Sequence, residues 1–180
     1  IGNCSDINDQ LSLSITASPE LDAGANAEVC QGSSFTVMDA SALNYSSLLW
    51  TTSGNGTLIN ETTLTPTYVP ATGETGLVTL TLNVTANGSC EDISDFKLLT
   101  ITPAATVNAG TDASVCGAEP YTVFDASAMN YSSIQWTTNG SGVFNNSTIL
   151  NTTYTPSSAD ISNGFVILTL TVHGQGSCPA

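Results

Sequence analysis

Residues 30–50 return as residues 116–136, and this internal duplication restricts the fold more than any other feature of the chain. The second copy keeps Thr-Val-x-Asp-Ala-Ser-Ala-x-Asn-Tyr-Ser-Ser and the closing Trp at an offset of 86 residues, which is also the spacing from Cys4 to Cys90. Further along, Val78-Thr-Leu-Thr-Leu82 aligns with Val166-Ile-Leu-Thr-Leu170 at an offset of 88. The two extra residues fall around 160–163, where a surface loop is expected to absorb them. One unit runs over 19–102 and closes on the strand-like Phe96-Lys-Leu-Leu-Thr-Ile101. The second unit, 103–180, stops just past the Cys that precedes such a strand, and residues 5–16 of the leading stretch 1–18 carry its equivalent. The expected organisation is an orphan final strand, one whole repeat, and one repeat lacking its final strand.

Hydrophobic periodicity makes the unit all-β. Val78, Leu80, Leu82 and Val84 alternate with Thr79, Thr81, Asn83 and Thr85, the period of two that half-buries a strand. Leu11, Leu13 and Ile15 alternate in the same way, and Phe35/Val37 and Tyr121/Val123 open similar strands. Asn55-Gly56, Asn87-Gly88 and Asn139-Gly140 punctuate them, as both residue types tolerate the positive φ of tight turns. No segment carries a convincing period of 3.6. Some seven strands in a unit of 86 residues match the size and rhythm of an immunoglobulin-like β-sandwich. In such a sandwich Trp50, Trp136, Tyr68 and Tyr154 are core residues rather than sugar-stacking platforms.

Charge removes several functions. Lys97 is the only Lys or Arg against fifteen Asp and Glu, a net charge of −14. Phosphate backbones need Lys and Arg for neutralisation, and anionic headgroups repel such a chain, so nucleic acid and bare membrane are not expected partners. Apolar residues are 41% of the chain and fall in ordered patterns, which separates it from acidic disordered segments. No run approaches the ~18 apolar residues of a membrane span. Without an initiating Met or a signal-like start, Ile1 is expected to begin a mature fragment or an excised segment. Lys–Asn isopeptide cross-links would have only Lys97 to draw on, and its equivalent in the leading strand is Leu11.

No catalytic pattern emerges from the residues. His173 is the sole histidine, on the polar side of an alternating strand, and its counterpart is Thr85. Cys-x-x-Cys, His-x-x-x-His and phosphate-cradling glycine loops are absent from the sequence, so no enzyme is expected. Five cysteines occupy an early place in the repeat (Cys30, Cys116) and a late one (Cys4, Cys90, Cys178), a regularity that points to oxidation outside the cytoplasm. The default pairing is within a repeat, joining Cys30 to Cys90 and Cys116 to Cys178. Strict sandwich topology instead sets the two places at opposite ends, roughly 25 Å apart, whereas a disulfide needs Cα atoms within about 7 Å. It favours Cys30–Cys178 across the junction. Either way Cys4 faces a neighbouring repeat.

Two modifications of the surface are readable. Glu91, Asp92 and Asp95 follow the late Cys, Asp6 and Asp9 occupy two of the same places, and Asp39/Asp125 and Asn44/Asn130 recur. Oxygen ligands of this kind suit Ca²⁺ at a domain junction, although no Asp-x-Asp-x-Asp-Gly loop is present; no other cofactor is expected. Asn-x-Ser/Thr sites begin at Asn3, Asn44, Asn55, Asn60, Asn83, Asn87, Asn130, Asn139, Asn145, Asn146 and Asn151, eleven of fifteen asparagines. They are candidate glycan attachment points. A repeat rich in Thr, Ser and Asn also generates them by composition and duplication.

Asp22-Ala-Gly, Val29-Cys30-Gln-Gly, Leu49-Trp50-Thr-Thr-Ser-Gly-Asn-Gly-Thr, Leu64-Thr-Pro-Thr-Tyr68-x-Pro, Val78-Thr-Leu-Thr-Leu and Gly88-Ser-Cys90 resemble the PKD-like or Ig-like repeats of very large Bacteroidota-type surface adhesins, including gliding-motility adhesins exported by the type IX system. The resemblance spans the chain twice. It implies tandem spacer repeats, extracellular at the cell surface, with nothing catalytic. Two functions follow as expectations: a structural segment of a fibre, filament or adhesin stalk assembled head to tail, or a carbohydrate- or ligand-binding adhesive module. A repeat without its final strand also exposes a template for strand addition, which residues 6–16 of a neighbouring copy would fill.

Overall fold

The computed structural model describes residues 7–178 and contains two successive β-sandwiches. The first repeat holds β1 (Glu20–Asp22), β2 (Ala27–Cys30), β3 (Phe35–Thr36), β4 (Ser41–Leu43), β5 (Tyr45–Thr52), β6 (Thr57–Ile59), β7 (Thr67–Val69), β8 (Gly76–Ala86) and β9 (Ile93–Thr102). Its larger sheet runs β2-β9-β8-β5, with β2 parallel to β9 and the other neighbours antiparallel. A second layer comprises β3-β7-β6 and the β1-β4 pair. The alternation read in β8 does what it predicts: Val78, Leu80, Leu82 and Val84 are buried. They close on Trp50, Tyr68, Leu99 and Ile101 in one apolar cluster.

The second repeat holds β10 (Thr106–Asn108), β11 (Tyr121–Thr122), β12 (Ser127–Met129), β13 (Tyr131–Thr138), β14 (Val143–Phe144), β15 (Thr153–Thr155), α1 (Ser158–Asn163) and β16 (Leu168–Gly174). The second layer is reproduced as β11-β15-β14 and β10-β12, but the larger sheet is reduced to β13-β16. Trp50 and Trp136 are both buried, and their indoles donate to the backbone oxygens of Thr63 and Ile149, 86 residues apart. Tyr68 and Tyr154 are buried as expected.

Two expectations need correction. The extra residues near 160–163 do not form an irregular loop but a single helical turn, α1. Ser157 and Asp160 build a capping box at its start, and Gly164 ends it in the left-handed conformation (φ 81°). The Asn-Gly pairs also differ from one another. Gly88 takes a positive φ of 64°, but Gly56 and Gly140 do not. They are glycine because a Cβ would collide with the Val69 oxygen in one case and with Asp160 Oδ1 in the other. The left-handed asparagines are instead Asn44, Asn60 and Asn130. Residues 7–19 contain no strand, and Leu11, Leu13 and Ile15 lie exposed. Residues 5 and 6 of that expected strand lie outside the described residues.

Candidate functional site: an open sheet edge and a stapled junction

In the first repeat β9 is an interior strand, between β2 and β8. Its inward side chains Lys97, Leu99 and Ile101 are buried, and β2 can form because Ala27 to Cys30 pair with Leu99 to Thr102. Among the described residues β16 pairs with β13 alone, and no strand takes the place of β9 on its other side. Residues 113–116, the equivalent of β2, form no strand, and Val115 is 44% exposed where Val29 is 9% exposed. A cleft of about 500 Å³ opens there, lined by Ala109, Val115, Val123, Trp136, Val166 and Leu168 among others. The site is thus a groove one strand wide, with an apolar floor and an unpaired backbone edge.

The matching strand is present in sequence but not in place. Leu11, Leu13 and Ile15 stand 86 residues before Lys97, Leu99 and Ile101. Leu13 and Ile15 are 79% and 88% exposed, whereas Leu99 and Ile101 are fully buried.

The one substitution in this set is chemically matched. Lys97 Nζ lies 2.6 Å from Asp39 Oδ1 and 5.4 Å from the centre of the Phe35 ring. The Lys97 hydrogen bond, joined by one from the Ala25 amide, holds the Asp39 carboxyl below the usual range. In the second repeat Thr111 replaces Ala25, and both its hydroxyl and its amide donate to Asp125 Oδ2. These bonds likewise lower the Asp125 carboxyl. Asp125 is therefore satisfied without a lysine, and Leu11 in place of Lys97 would leave no carboxylate stranded.

The recurrence of Asp39 and Asp125, read as a metal signal, is accounted for by these loop contacts. Gly24 and Gly110 let each carboxylate approach the backbone, since a Cβ at either position would overlap it. Glu91, Asp92 and Asp95 do not converge. Asp92 accepts from the Ala86 amide and Asp95 from the Ala23 amide, both at 2.8 Å, and among the described residues no group of three metal-type side chains forms. Asp9 accepts from its neighbour's amide, Gln10; Asp6 lies outside the described residues.

The junction between repeats is held by Cys30–Cys178, with Cα atoms 4.7 Å apart. Pairing within a repeat is corrected by this geometry. Cys30 ends β2 beside Thr102, at the far end of β9 from Cys90, and ten residues of strand span roughly 30 Å. Cys90 and Cys116 are free thiols, and Cys4 lies outside the described residues. Polar contacts the sequence did not announce surround the bridge. The Gln31 amide donates to the Thr102 oxygen at 2.8 Å, and Gln31 Oε1 accepts from the Ala104 amide at 3.1 Å. Glu28 accepts from the Thr102 hydroxyl and from the Ser177 amide.

A second unannounced device recurs in both repeats. Glu74 accepts from the Tyr68 hydroxyl and from the amides of Ala71 and Asn55. Asp160 accepts from the Tyr154 hydroxyl and from the amides of Ser157 and Ser141. Burial raises Glu74, but these donors outweigh it and the carboxyl lies below its ordinary value. For Asp160 the Ser157 and Ser141 amides lead, and the carboxyl falls far below the carboxylate range. The signal was available: Tyr68/Tyr154 and Glu74/Asp160 share the offset of 86.

His173 is exposed on β16. Of the sequon asparagines within the described residues, Asn44, Asn55, Asn60, Asn130, Asn139, Asn145, Asn146 and Asn151 are exposed, and Asn83 and Asn87 are partly buried. The amide nitrogens of Asn44 and Asn130 donate to the oxygens of Ser18 and Ala104, which explains their recurrence by chain geometry. No helix among the described residues is long and apolar enough to cross a membrane.

No protein-family profile and no curated protein matches the chain. Among solved structures it is similar to one described as Sidekick-1 immunoglobulin domains 1-5, at 16% identity and a TM-score of 0.44, over 88% of this chain and 39% of that one. It is also similar to one described as Structural basis for Dscam isoform specificity, at 18% identity and a TM-score of 0.35, over 74% of this chain and 38% of that one. The chain thus spans well under half of either. Likenesses at this level add nothing to the strand order, and the immunoglobulin-like all-β fold rests on that order.

Proposed function

We propose that the chain is part of an extracellular, non-catalytic stalk or filament of tandem immunoglobulin-like repeats. In this reading the repeats join head to tail by strand completion, with residues 7–16 of a second copy lying in the groove beside β16. The observation that carries it is the match between a vacant strand position and an exposed segment with the same inward pattern, including the coordinated change of Lys97 to Leu11 and Ala25 to Thr111. Burying three large apolar side chains is favourable by about 1.5–3 kcal/mol each, and strand addition pairs backbone groups that are otherwise left to water. The regularly placed cysteines, with one bridge formed, favour an oxidising compartment. A sugar-stacking role finds less support, because Trp50, Trp136, Tyr68 and Tyr154 are all in the core.

Light scattering of the reduced chain at rising concentration tests the reading. Masses at multiples of 18.4 kDa are expected. They should vanish in the Leu13→Asp/Ile15→Asp variant and be capped by a synthetic peptide of residues 5–18. A chain that stays monomeric at millimolar concentration overturns strand completion. Denaturing gels of the native material then separate a single long polypeptide, whose repeats supply the strand in series, from subunits that donate it.

A further inference from the structure

Cys90 and Cys116, free thiols among the described residues, are the two halves of a junction that the molecule already shows once in finished form. In that finished junction β2 ends at Cys30, whose register partner is Thr102. Cys178 Sγ lies 3.4 Å from the Thr102 oxygen and 3.6 Å from the Pro103 oxygen, and bonds to Cys30. One repeat earlier, Cys90 Sγ lies 3.7 Å from the oxygens of both Thr16 and Ala17, the equivalents of Thr102 and Pro103. The late-cysteine half of a junction is therefore in place at the front of the first repeat. Strand completion supplies the other half. If residues 7–16 of the next copy enter the groove in the register of β9, residues 113–116 pair with residues 13–16 as 27–30 pair with 99–102. Cys116 then lies opposite Thr16, the residue against which Cys90 of that copy already rests.

We propose that Cys116 of one copy and Cys90 of the next form a disulfide that staples each completed junction; the inference rests on the strand-completion reading. Each thiol gives up a proton and an electron, one S–S bond forms, and a disulfide oxidant such as oxidised glutathione is cleaved to two thiols. The staple has more to hold between copies than within one. Glu28 and Gln31, which clasp Thr102, Ser177 and Ala104 at the internal junction, are replaced by Ser114 and Gly117 at the external one.

The test uses the full chain in a Cys4→Ser background, so that a third thiol cannot compete. Oxidised glutathione should convert associated copies into a ladder at multiples of 18.4 kDa on non-reducing denaturing gels, collapsing to one band on reduction. Peptic peptides should contain the Cys116–Cys90 link. Cys90→Ser or Cys116→Ser alone should abolish the ladder while association in native light scattering persists, and an equimolar mixture of the two should stop at dimers. A ladder that survives in either single variant, a Cys116–Cys116 link, or association with no link at all would overturn the staple and leave strand completion standing. Absence of association before oxidation would overturn both.

Discussion

In the first repeat β9 lies between β8 and β2, and thirteen apolar side chains close into one buried cluster; in the second, where among the described residues β16 pairs with β13 alone, the corresponding cluster holds five. The motif residues are nearly the same, so the difference comes from one strand. Val115-Cys116 repeats Val29-Cys30, yet residues 113–116 form no strand because a parallel edge exists only where a partner lies beside it. The second layer is indifferent to the loss: Tyr121↔Tyr154 and Phe144↔Tyr154 pair as Phe35↔Tyr68 and Leu58↔Tyr68 do. A repeat of this kind therefore divides into a half that folds on local pairing and a half that waits for its last strand.

Equivalent substitutions in the two settings should separate most widely. Leu99→Ala should cost the first repeat about 2–5 kcal/mol in chemical denaturation, since it empties a fully buried site. Leu13→Ala should leave the stability of the lone chain unchanged and weaken association instead. Equal losses in the monomer would mean that residues 7–16 are already packed. Next in size is the junction. Cys178→Ser should lower the unfolding midpoint by the equivalent of about 2–4 kcal/mol, whereas Cys116→Ser should have no effect on the lone chain.

A smaller change would sharpen the comparison at Asp39. Lys97→Leu imports the residue of the leading strand and should cost about 1 kcal/mol, a modest figure because Asp39 is half exposed. Adding Ala25→Thr should recover part of that loss by reproducing the Thr111 contacts of Asp125. A double variant no more stable than the single would refute the account of why Leu11 is tolerated.

The smallest separation concerns acid. Asp39, Glu74, Asp125 and Asp160 are all held below their unfolded values of 3.8 or 4.5, so the stability they contribute is complete above about pH 5. It is lost as pH falls through the lowered folded values. Asp160 is the most depressed, so its contribution is still being lost at pH values below those of Glu74 in the first repeat. Asp160→Asn should flatten the acid limb of the stability profile measured by denaturation between pH 5 and 2; an unchanged slope would show that its three donors do not favour the ionised form.

What could be read from the sequence was whatever depends on alternation and duplication. The β8 face, the Trp and Tyr cores and the place of Lys97 inside a strand all follow from side-chain period and repeat alignment. Contacts that depend on which backbone amides lie nearby in three dimensions could not be read. Glu91, Asp92 and Asp95 read as a ligand set because acidic residues cluster after the late Cys, but Asp92 and Asp95 each serve a separate backbone amide brought to them by the fold. The helical turn at α1 was invisible to periodicity because six residues are too few to show one. Cysteine spacing left two pairings open, and only the parallel placement of β2 on β9 decides between them.

That parallel placement has a mechanical consequence. β2 is tethered through β1 to the incoming chain, and β9 leaves directly into the next repeat at Thr102. When Cys30–Cys178 is reduced, tension between the ends of the chain pulls these neighbouring strands in opposite directions along their lengths. Their ladder is then loaded in shear, and its bonds must fail together rather than one after another. With Cys30–Cys178 intact, load passes from Cys30 directly to Cys178, and residues 31–177, β9 and the second sandwich among them, bear none of it. Single-molecule pulling of the reduced chain should therefore show the first repeat yielding at high force and the second opening at low force until a strand is added, whereas in the oxidised chain residues 31–177 should add no extension.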